Sequence, residues 1–261
     1  MILHQVPNSY GNYNYNAFIY TETLWESHFH GNYELIYGIE GETEVLLNSI
    51  KYTLTKGELI LVSPYTIHSL NGLKNSKIWV GVFSEDFIVS FAEKNKFTSF
   101  IKFRCDAKIN SILEENLFYQ GEPEHYLLVA CLYMVCNECL KNAGSTSKKQ
   151  DNKFVYQVIE YISENLSENI SLKKIAYNLN YEYHYFSALF NKCFFMNFKN
   201  FINIYRFDMA CKLLANRYET VTSVCNQCGF GSIRNFNRVF KQLGGLTPSE
   251  YRNNLPLQHK S

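Results

Sequence analysis

Residues 221–252 read VTSVCNQCGFGSIRNFNRVFKQLGGLTPSEYR. Apolar residues recur at helical spacing on both sides of a Gly229-Phe230 break, which predicts two short helices joined by a glycine turn. The apolar residues are Val221, Val224 and Cys225 before the break and Phe236, Val239 and Phe240 after it. The outward face of the second helix then carries Ile233, Arg234, Asn235, Asn237 and Arg238. Arginine forks onto guanine and asparagine onto adenine, so this face suits the major groove of DNA, although an ordinary solvated helix has the same pattern.

A second copy of the pattern lies upstream and favours the DNA-reading interpretation. Its first helix is indicated by Leu172, Ile175, Ala176 and Leu179, its turn by residues 178–182, and its second helix by Tyr185, Phe186, Leu189, Phe190 and Cys193. Between the copies, an apolar stripe from Phe198 to Leu214 predicts one long, stiff helix. Two units on such a helix can enter successive major grooves roughly 34 Å apart.

The segments LKKIAYNLNYEYHYFSALFNK and GFGSIRNFNRVFKQLGGLTPSEYR resemble the two helix-turn-helix units of the AraC/XylS family of transcriptional regulators. Glycine, aromatic, Phe-Lys and Thr-Pro positions fall in register. The resemblance implies that the base-facing residues are Tyr183, His184, Ser187 and Ala188 in the first unit and Ile233, Arg234, Asn235 and Arg238 in the second. It also implies a double-stranded DNA operator, a small-molecule effector and RNA polymerase as partners of a homodimer.

Three residues depart from the family pattern. Phe195 stands where the family usually has a glycine, and a left-handed backbone there would cost a bulky residue on the order of 1 kcal/mol. Asn180 replaces another usual glycine, which asparagine tolerates. Ala188 offers only a methyl group, so we expect the second unit to supply most of the specificity.

The charge distribution supports two domains of different kind. The 261 residues carry a net charge of +1, but residues 1–143 hold 10 Lys+Arg against 16 Asp+Glu, and residues 144–261 hold 15 against 8. The basic half is the half with the helix-turn-helix pattern, as phosphate binding requires. We predict an α+β chain with an effector-binding and dimerisation domain at 1–143, a polar linker at 144–152 and a DNA-binding domain at 153–261.

Targeting signals and cysteines point to the cytoplasm. No apolar run approaches the length of a membrane span, and the start MILHQVPNSYGNYNYN lacks a basic-then-apolar signal region, so we expect no membrane association. Cys136 and Cys139, and Cys225 and Cys228, have CxxC spacing inside helical patterns. Without a matching zinc-finger pair nearby, we interpret them as reduced, small hydrophobic residues.

The N-terminal half is typical of a small β-barrel or sandwich. Short apolar or alternating runs predict strands at 33–39, 43–47, 51–54, 58–62 and 77–83. His28, His30, Glu34 and Gly41 fit the HxHxxxExxxxxxG first motif of cupin barrels, and Gly57, Pro64 and His68 resemble a loose form of the second. We therefore expect a cupin-like barrel with its polar motif residues at one end.

Two interpretations of this motif stay open. In metal-dependent cupins the matching residues, His28, His30, Glu34 and His68, would bind one divalent ion, which would make the barrel a metal sensor or an enzyme. We favour a pocket in which they hydrogen-bond an organic effector, because AraC-type regulators with this motif generally respond to such molecules; we then expect no catalysis and no cofactor. Trp25, Tyr33, Tyr37 and Trp79 are available to line the barrel and would suit stacking on a sugar ring.

Helices are predicted after the barrel at 85–96, 107–119 and 124–142. The third has a broad apolar stripe made of Tyr126, Leu127, Val129, Ala130, Tyr133, Met134, Asn137 and Leu140. In the regulators that this chain resembles, helices after the barrel pack across a two-fold axis, so the resemblance implies that this helix forms a homodimer interface; packing inside one subunit is the alternative.

Overall fold

A computed structural model of the protein describes residues 3–4, 15–47, 50–95, 102–121, 123–143, 153–194, 196–216 and 218–255. The described residues up to 143 and those from 153 onward belong to two compact units. The first contains two β-sheets with helices and the second is helical, which confirms the predicted fold class. The predicted linker, 144–152, and Phe195 lie outside the described residues. In the described part, no helix is both long and apolar enough to span a membrane.

The first unit holds two five-stranded sheets, with orders β1-β3-β8-β5-β6 and β10-β7-β4-β9-β2. The described strands are β1 Leu3–His4, β2 Tyr15–Thr21, β3 Leu24–Phe29, β4 Tyr33–Glu40, β5 Glu42–Leu47, β6 Ile50–Thr55, β7 Glu58–Val62, β8 His68–Gly72, β9 Lys77–Phe83 and β10 Phe103–Arg104. Neighbouring strands are antiparallel except β1 and β3. All five predicted strands are present. Strands β2, β3 and β8 were not predicted, because their residues are mostly half-buried or polar and show no continuous apolar run.

The sheet that contains β4 and β9 is buried on both faces. One face meets the other sheet in an aliphatic interior made of Ile36, Val45, Leu47, Leu54, Ile60, Val62, Leu70, Ile78, Val80 and Val82. The opposite face, which includes Leu35, Tyr37 and Trp79, packs against helices. Alternate residues of one strand therefore enter two different cores.

Helices cover this second face. A single 3₁₀ turn, Glu85–Ile88, leads into α1 Val89–Asn95, and α2 Ala107–Asn116 and α3 His125–Ala143 follow. Helix α2 ends earlier than predicted, because the Leu117 and Phe118 amides both bond back to the Leu113 carbonyl.

Gly41 of the barrel motif sits in the turn from β4 to β5. Its φ of +64° is left-handed, and a Cβ there would lie 2.5 Å from the Asn75 carbonyl oxygen. Only glycine fits this position without backbone movement.

The second unit is built around α7, Phe198–Ala215, which confirms the predicted long helix. Around it lie α4 Lys153–Glu164, α5 Leu172–Asn178, α6 Tyr183–Phe194, α8 Val221–Gln227, α9 Ile233–Gly244 and α10 Pro248–Asn254. The ring of Phe201 packs 4.5 Å from Phe194 of α6, and the ring of Phe207 packs 4.6 Å from Phe240 of α9. With 18 residues, α7 is about 27 Å long and forms a shared core for the two helix pairs.

Candidate DNA interface and effector site

The first helix pair, α5 and α6, turns through Asn180, whose φ of 59° is left-handed, as the replacement of a glycine requires. The Glu182 carboxylate then accepts the Tyr185 amide at 2.8 Å and caps α6. Phe186, Phe190 and Phe194 point into the core. Tyr183, His184 and Ala188 are exposed and Ser187 is half-buried. None of these four predicted base-facing residues is an arginine or a lysine.

The second pair, α8 and α9, turns through Gly229. Its φ is +69°, and a Cβ at this position would lie 2.2 Å from the Leu166 carbonyl oxygen of the segment before α5. The Arg206 guanidinium of α7 donates to the Glu168 carbonyl of the same segment at 3.0 Å. The turn between α8 and α9 thus approaches the segment before α5 closely, and a side chain at 229 would clash there.

Helix α9 presents cations where α6 does not. Phe236, Val239 and Phe240 are buried, whereas Ile233, Arg234 and Arg238 are exposed. The Ser232 hydroxyl accepts the Asn235 amide at 3.2 Å and fixes the start of the helix.

The Asn235 side chain is engaged within the protein at both ends. Its Nδ2 donates to the Phe230 carbonyl at 3.2 Å, and its Oδ1 accepts Arg238 Nη2 at 2.9 Å. Arg238 Nη1 also donates to Gln242 Oε1 at 3.3 Å. Arg238 is therefore held between side chains three and four residues away, an arrangement of i,i+3 and i,i+4 pairs that sequence reasoning did not identify.

A buried polar cluster lies at the other predicted site. His28 on β3 and His68 on β8 are register partners, His30 follows β3, and Glu34 lies on β4 of the facing sheet. All four are at most 1% exposed, and each offers one ligand atom within 4.8 Å of the others. The structure thus brings together the four motif residues.

Each imidazole of the cluster uses its Nδ1 on a backbone carbonyl. His28 bonds to Glu26 at 2.8 Å, His30 to Asn32 at 3.1 Å and His68 to Thr66 at 2.8 Å. A carbonyl only accepts, so Nδ1 carries the proton in each ring and Nε2 is directed at the cluster. His30 Nε2 lies 3.0 Å and His68 Nε2 3.5 Å from Glu34 Oε2.

The electrostatics of the cluster follow from burial and from Glu34. Burial, and then the proximity of His68, lowers the pKa of His28 to about 3, and burial lowers the pKa of His30. Burial opposes charge on Glu34 and His68 as well, but their mutual attraction prevails: the pKa of Glu34 is lowered and the pKa of His68 is raised. The carboxylate is therefore ionised at neutral pH.

The aromatic residues divide between two environments. Trp25 lies at the cluster, with its ring 5.6 Å from that of His28. Trp79 does not: it is buried on the helix-covered face, 5.1 Å from Phe118, and donates to the Tyr119 carbonyl. Tyr33 and Tyr37 point to that same face. The prediction that Trp79, Tyr33 and Tyr37 line the barrel is wrong. Side chains alternate along a strand, so Tyr33 and Tyr37 lie on the face of β4 opposite to Glu34. Trp79 on β9 is the register partner of Tyr37 and shares its face.

Sequence reasoning missed Tyr20, whose ring lies 4.8 Å from that of Trp25 and whose pKa is raised by burial and by Glu34. A strand prediction for β2 could have identified Tyr20. Strand β2 was not predicted because it has half-buried residues on both faces and lacks a clear alternation of polar and apolar residues.

Helix α3 has an exposed apolar face in addition to its buried one. Leu128, Cys131, Leu132 and Val135 belong to the core. On the other side, Tyr126 is 87% exposed and Leu140 is 48% exposed. The outer face consists of Tyr126, Leu127, Ala130, Tyr133, Asn137 and Leu140, whereas the predicted stripe members Val129 and Met134 are half-buried.

The eight cysteines are free thiols, and six of them are buried. Burial raises the pKa of Cys136 and of Cys228 to about 12. Among the described residues, the four-residue cluster around Glu34 is the one group with metal-binding geometry, and no cysteine belongs to it.

Two family models match the chain. The model of an AraC-like ligand binding domain matches residues 17–75, and that of a helix-turn-helix domain matches residues 175–254. Over 239 residues the chain is 23% identical to the probable transcriptional regulator LumQ of Photobacterium leiognathi, across 88% of this chain and 94% of that protein. Over 100 residues it is 35% identical to an uncharacterized HTH-type transcriptional regulator, YobQ, of Bacillus subtilis, across 38% of this chain and 42% of that protein.

Among solved structures, unsaturated fatty acid-bound wild-type ToxT from Vibrio cholerae aligns with 95% of this chain and 98% of its own. The TM-score is 0.50 and the sequence identity 16%, so the likeness concerns the fold.

Proposed function

Since the chain belongs to the AraC/XylS family of transcriptional regulators, we propose that it reads an operator mainly through α9, under the control of a small effector held at the cluster around Glu34. The observation that carries the proposal is the pair of helix-turn-helix units on one shared core helix, with exposed polar faces on α6 and α9. Such a pair has the geometry for two neighbouring major-groove contacts on one duplex.

The side chains of α6 and α9 differ in what they can contribute to DNA binding. Arg234 and Arg238 supply charge and a bidentate fork for guanine, whereas Tyr183, His184, Ser187 and Ala188 supply small polar and aromatic contacts. Glu182 adds a carboxylate at the start of α6, which phosphates repel. We infer that α9 contributes most of the affinity and α6 a weaker, shape-dependent part.

The test of DNA reading uses a duplex selected from a random library by the wild-type protein. Arg234→Ala or Arg238→Ala should weaken binding by about 1–3 kcal/mol, roughly 5- to 150-fold in Kd, with unchanged melting temperature. His184→Ala should lose less. Lys199→Ala removes an exposed cation of α7 as the matched control. If both arginine variants bind like the wild type at fixed salt, α9 is not the reading helix.

Control by an effector requires that the effector bind two states of the regulator with different affinity, typically by 1–3 kcal/mol. In this proposal the cluster around Glu34 is the binding point, because His28, His30, Glu34 and His68 are buried polar side chains whose ligand atoms lie within 4.8 Å of one another. A His30→Ala/Glu34→Ala double variant should lose the effector-dependent part of a reporter response. A full response in this variant would place the effector elsewhere.

A sugar effector is less well supported by the structure than by the sequence. Of the four aromatic residues expected to stack on a sugar, only Trp25 lies at the cluster, joined by Tyr20. ToxT has been solved with an unsaturated fatty acid, a different class of molecule. A thermal-shift panel of sugars, amino acids, aromatic acids and fatty acids tests these classes directly, since a bound ligand raises the melting temperature.

The exposed face of α3 supports the homodimer. Tyr126, Ala130, Tyr133, Asn137 and Leu140 repeat at alternating steps of four and three residues, which is the spacing of a coiled-coil seam. We propose that this seam pairs with a second copy of the chain, while the opposite face of α3 stays in the core.

A further inference from the structure

We propose that α6 recognises thymine by its C5-methyl group, through apolar contacts of Tyr183 and Ala188, so that the operator carries A·T base pairs where α6 enters the major groove. This inference rests on the proposed function, because it requires α6 to lie in the groove. It names the feature of the bases that α6 reads, and it makes the contribution of α6 to binding independent of salt.

The first argument is the charge of the two helix pairs. Residues 153–197, which include α4, α5 and α6, carry 4 Lys against 4 Glu, whereas residues 198–254 carry 8 Lys+Arg against 3 Asp+Glu. Of the lysines before α7, Lys174 is paired with Glu168. Phosphate contacts release counterions only where the protein supplies cations. The salt-dependent part of DNA binding must therefore come mainly from residues 198–254.

The second argument is the start of α6, since the backbone amides at the start of a helix often bind a phosphate. In this chain the Glu182 carboxylate takes that place. It accepts the Tyr185 amide at 2.8 Å, and hydrogen bonds from the His184 and Tyr185 amides lower the pKa of Glu182. The carboxylate is thus ionised at neutral pH and bound to the helix. A phosphate would have to displace it, which leaves base edges as the partners of α6.

The third argument is the chemistry of the exposed side chains. Ala188 ends in a methyl group, and Tyr183 is 42% exposed, with its ring 5.4 Å from that of His184. Neither side chain has the two-pronged hydrogen bonding with which arginine, asparagine or glutamine recognises a purine. The apolar feature that bases present in the major groove is the thymine methyl group, and alanine and aromatic rings are suited to contact it.

The core fixes where these contacts fall on the duplex. Phe186 and Phe190 are fully buried behind α6, and the ring of Phe190 lies 5.8 Å from that of Phe201 on α7. Helix α9 packs on the same helix through Phe240 and Phe207. The thymines read by α6 should therefore lie about one turn of DNA, roughly 10 base pairs, from the guanines read by α9.

The experiment replaces single thymines of the selected duplex by deoxyuridine, which removes the methyl group and keeps the base pair. With the full chain we expect at least one thymine at which the replacement weakens binding about fourfold, the value of one buried methyl group. Ala188→Gly or Tyr183→Ala should abolish the sensitivity at this thymine. Ala215→Gly at the end of α7 and Tyr177→Ala, exposed on α5, are the matched controls and should keep it.

Salt dependence is a second measurement, and a change in stability does not mimic it. The slope of log Kd against log salt concentration should be the same in Ala188→Gly, Tyr183→Ala and the wild type. It should decrease by about one in Arg234→Ala if that residue contacts a phosphate, and by less if it contacts only a base. A changed slope in the α6 variants would indicate phosphate contacts and contradict the apolar ones.

A selected duplex in which no thymine is sensitive to deoxyuridine would overturn the inference about α6. So would a sensitivity that persists in both Ala188→Gly and Tyr183→Ala. Arginine variants of α9 that bind like the wild type, on a duplex with methyl-sensitive thymines, would overturn the role of α9 and leave that of α6. A wild type that selects no duplex would overturn the proposed function, and this inference with it.

Discussion

The contacts of Asn235 permit a sharp test of how α9 reads DNA. Both ends of its amide are engaged, on the Phe230 carbonyl at 3.2 Å and on Arg238 at 2.9 Å. We therefore predict that Asn235 acts on DNA by positioning Arg238, rather than by forking onto an adenine. A double-mutant cycle over Asn235→Ala, Arg238→Ala and the combination separates these roles.

The magnitudes follow from the contacts. Loss of Arg238 should cost about 1–3 kcal/mol of operator binding. Asn235→Ala should cost about 1 kcal/mol, the net value of one hydrogen bond at a half-exposed position, or roughly fivefold in Kd. With Arg238 already absent, Asn235→Ala should cost close to nothing, which gives a coupling of about 1 kcal/mol.

The assay is equilibrium binding to the selected duplex at fixed salt, with melting temperatures recorded for each variant because Asn235→Ala also frees the Phe230 carbonyl. Asn235→Ala that costs as much in the Arg238→Ala background as in the wild type would refute the reasoning. Additivity of that kind would mean that Asn235 contacts a base directly.

Three further predictions concern assembly, stability and reactivity. Tyr126→Asp with Leu140→Lys should give monomers in sedimentation that keep a cooperative melting transition, because both side chains are exposed and their replacement leaves the core intact. Leu132→Ala, in the core, should instead lose about 2–5 kcal/mol of stability. A dimer that survives the changes at Tyr126 and Leu140 has its interface elsewhere. Gly229→Ala should destabilise the second unit in urea unfolding by more than the cost of a left-handed backbone alone, about 1–2 kcal/mol, because its Cβ would lie 2.2 Å from the Leu166 carbonyl oxygen. Asn180→Gly, which keeps the left-handed turn, should change the stability little. Equal stability of Gly229→Ala and the wild type would contradict the tight turn. At pH 8 the thiols of Cys136 and Cys228, with pKa values of about 12, should be only roughly one part in ten thousand thiolate. Both should therefore resist iodoacetamide until urea is added. Rapid labelling of the native protein at either residue would show that it is not buried.

The helix-turn-helix units could be predicted because local rules suffice for them. Helical periodicity places Phe236, Val239 and Phe240 on one side of α9, and whatever lies on the other side must be exposed. The left-handed turns at Asn180 and Gly229 are likewise local. The barrel motif predicted which four polar residues meet, through resemblance and not through periodicity.

The face on which a side chain lies in a sheet buried on both sides, and the contacts between neighbouring strands, could not be predicted from the sequence. Strands β4 and β9 are buried on both faces, so their sequences have no alternation of polar and apolar residues to show that Trp79 belongs with the helices and Glu34 with the barrel interior. The orientation of the three imidazoles depends on carbonyls of Glu26, Asn32 and Thr66, and the tie between Asn235 and Arg238 depends on rotamers. Residue types and spacing thus determined the classes of contact in this protein, whereas strand register and side-chain direction, which arise only when the elements pack, determined which atoms meet.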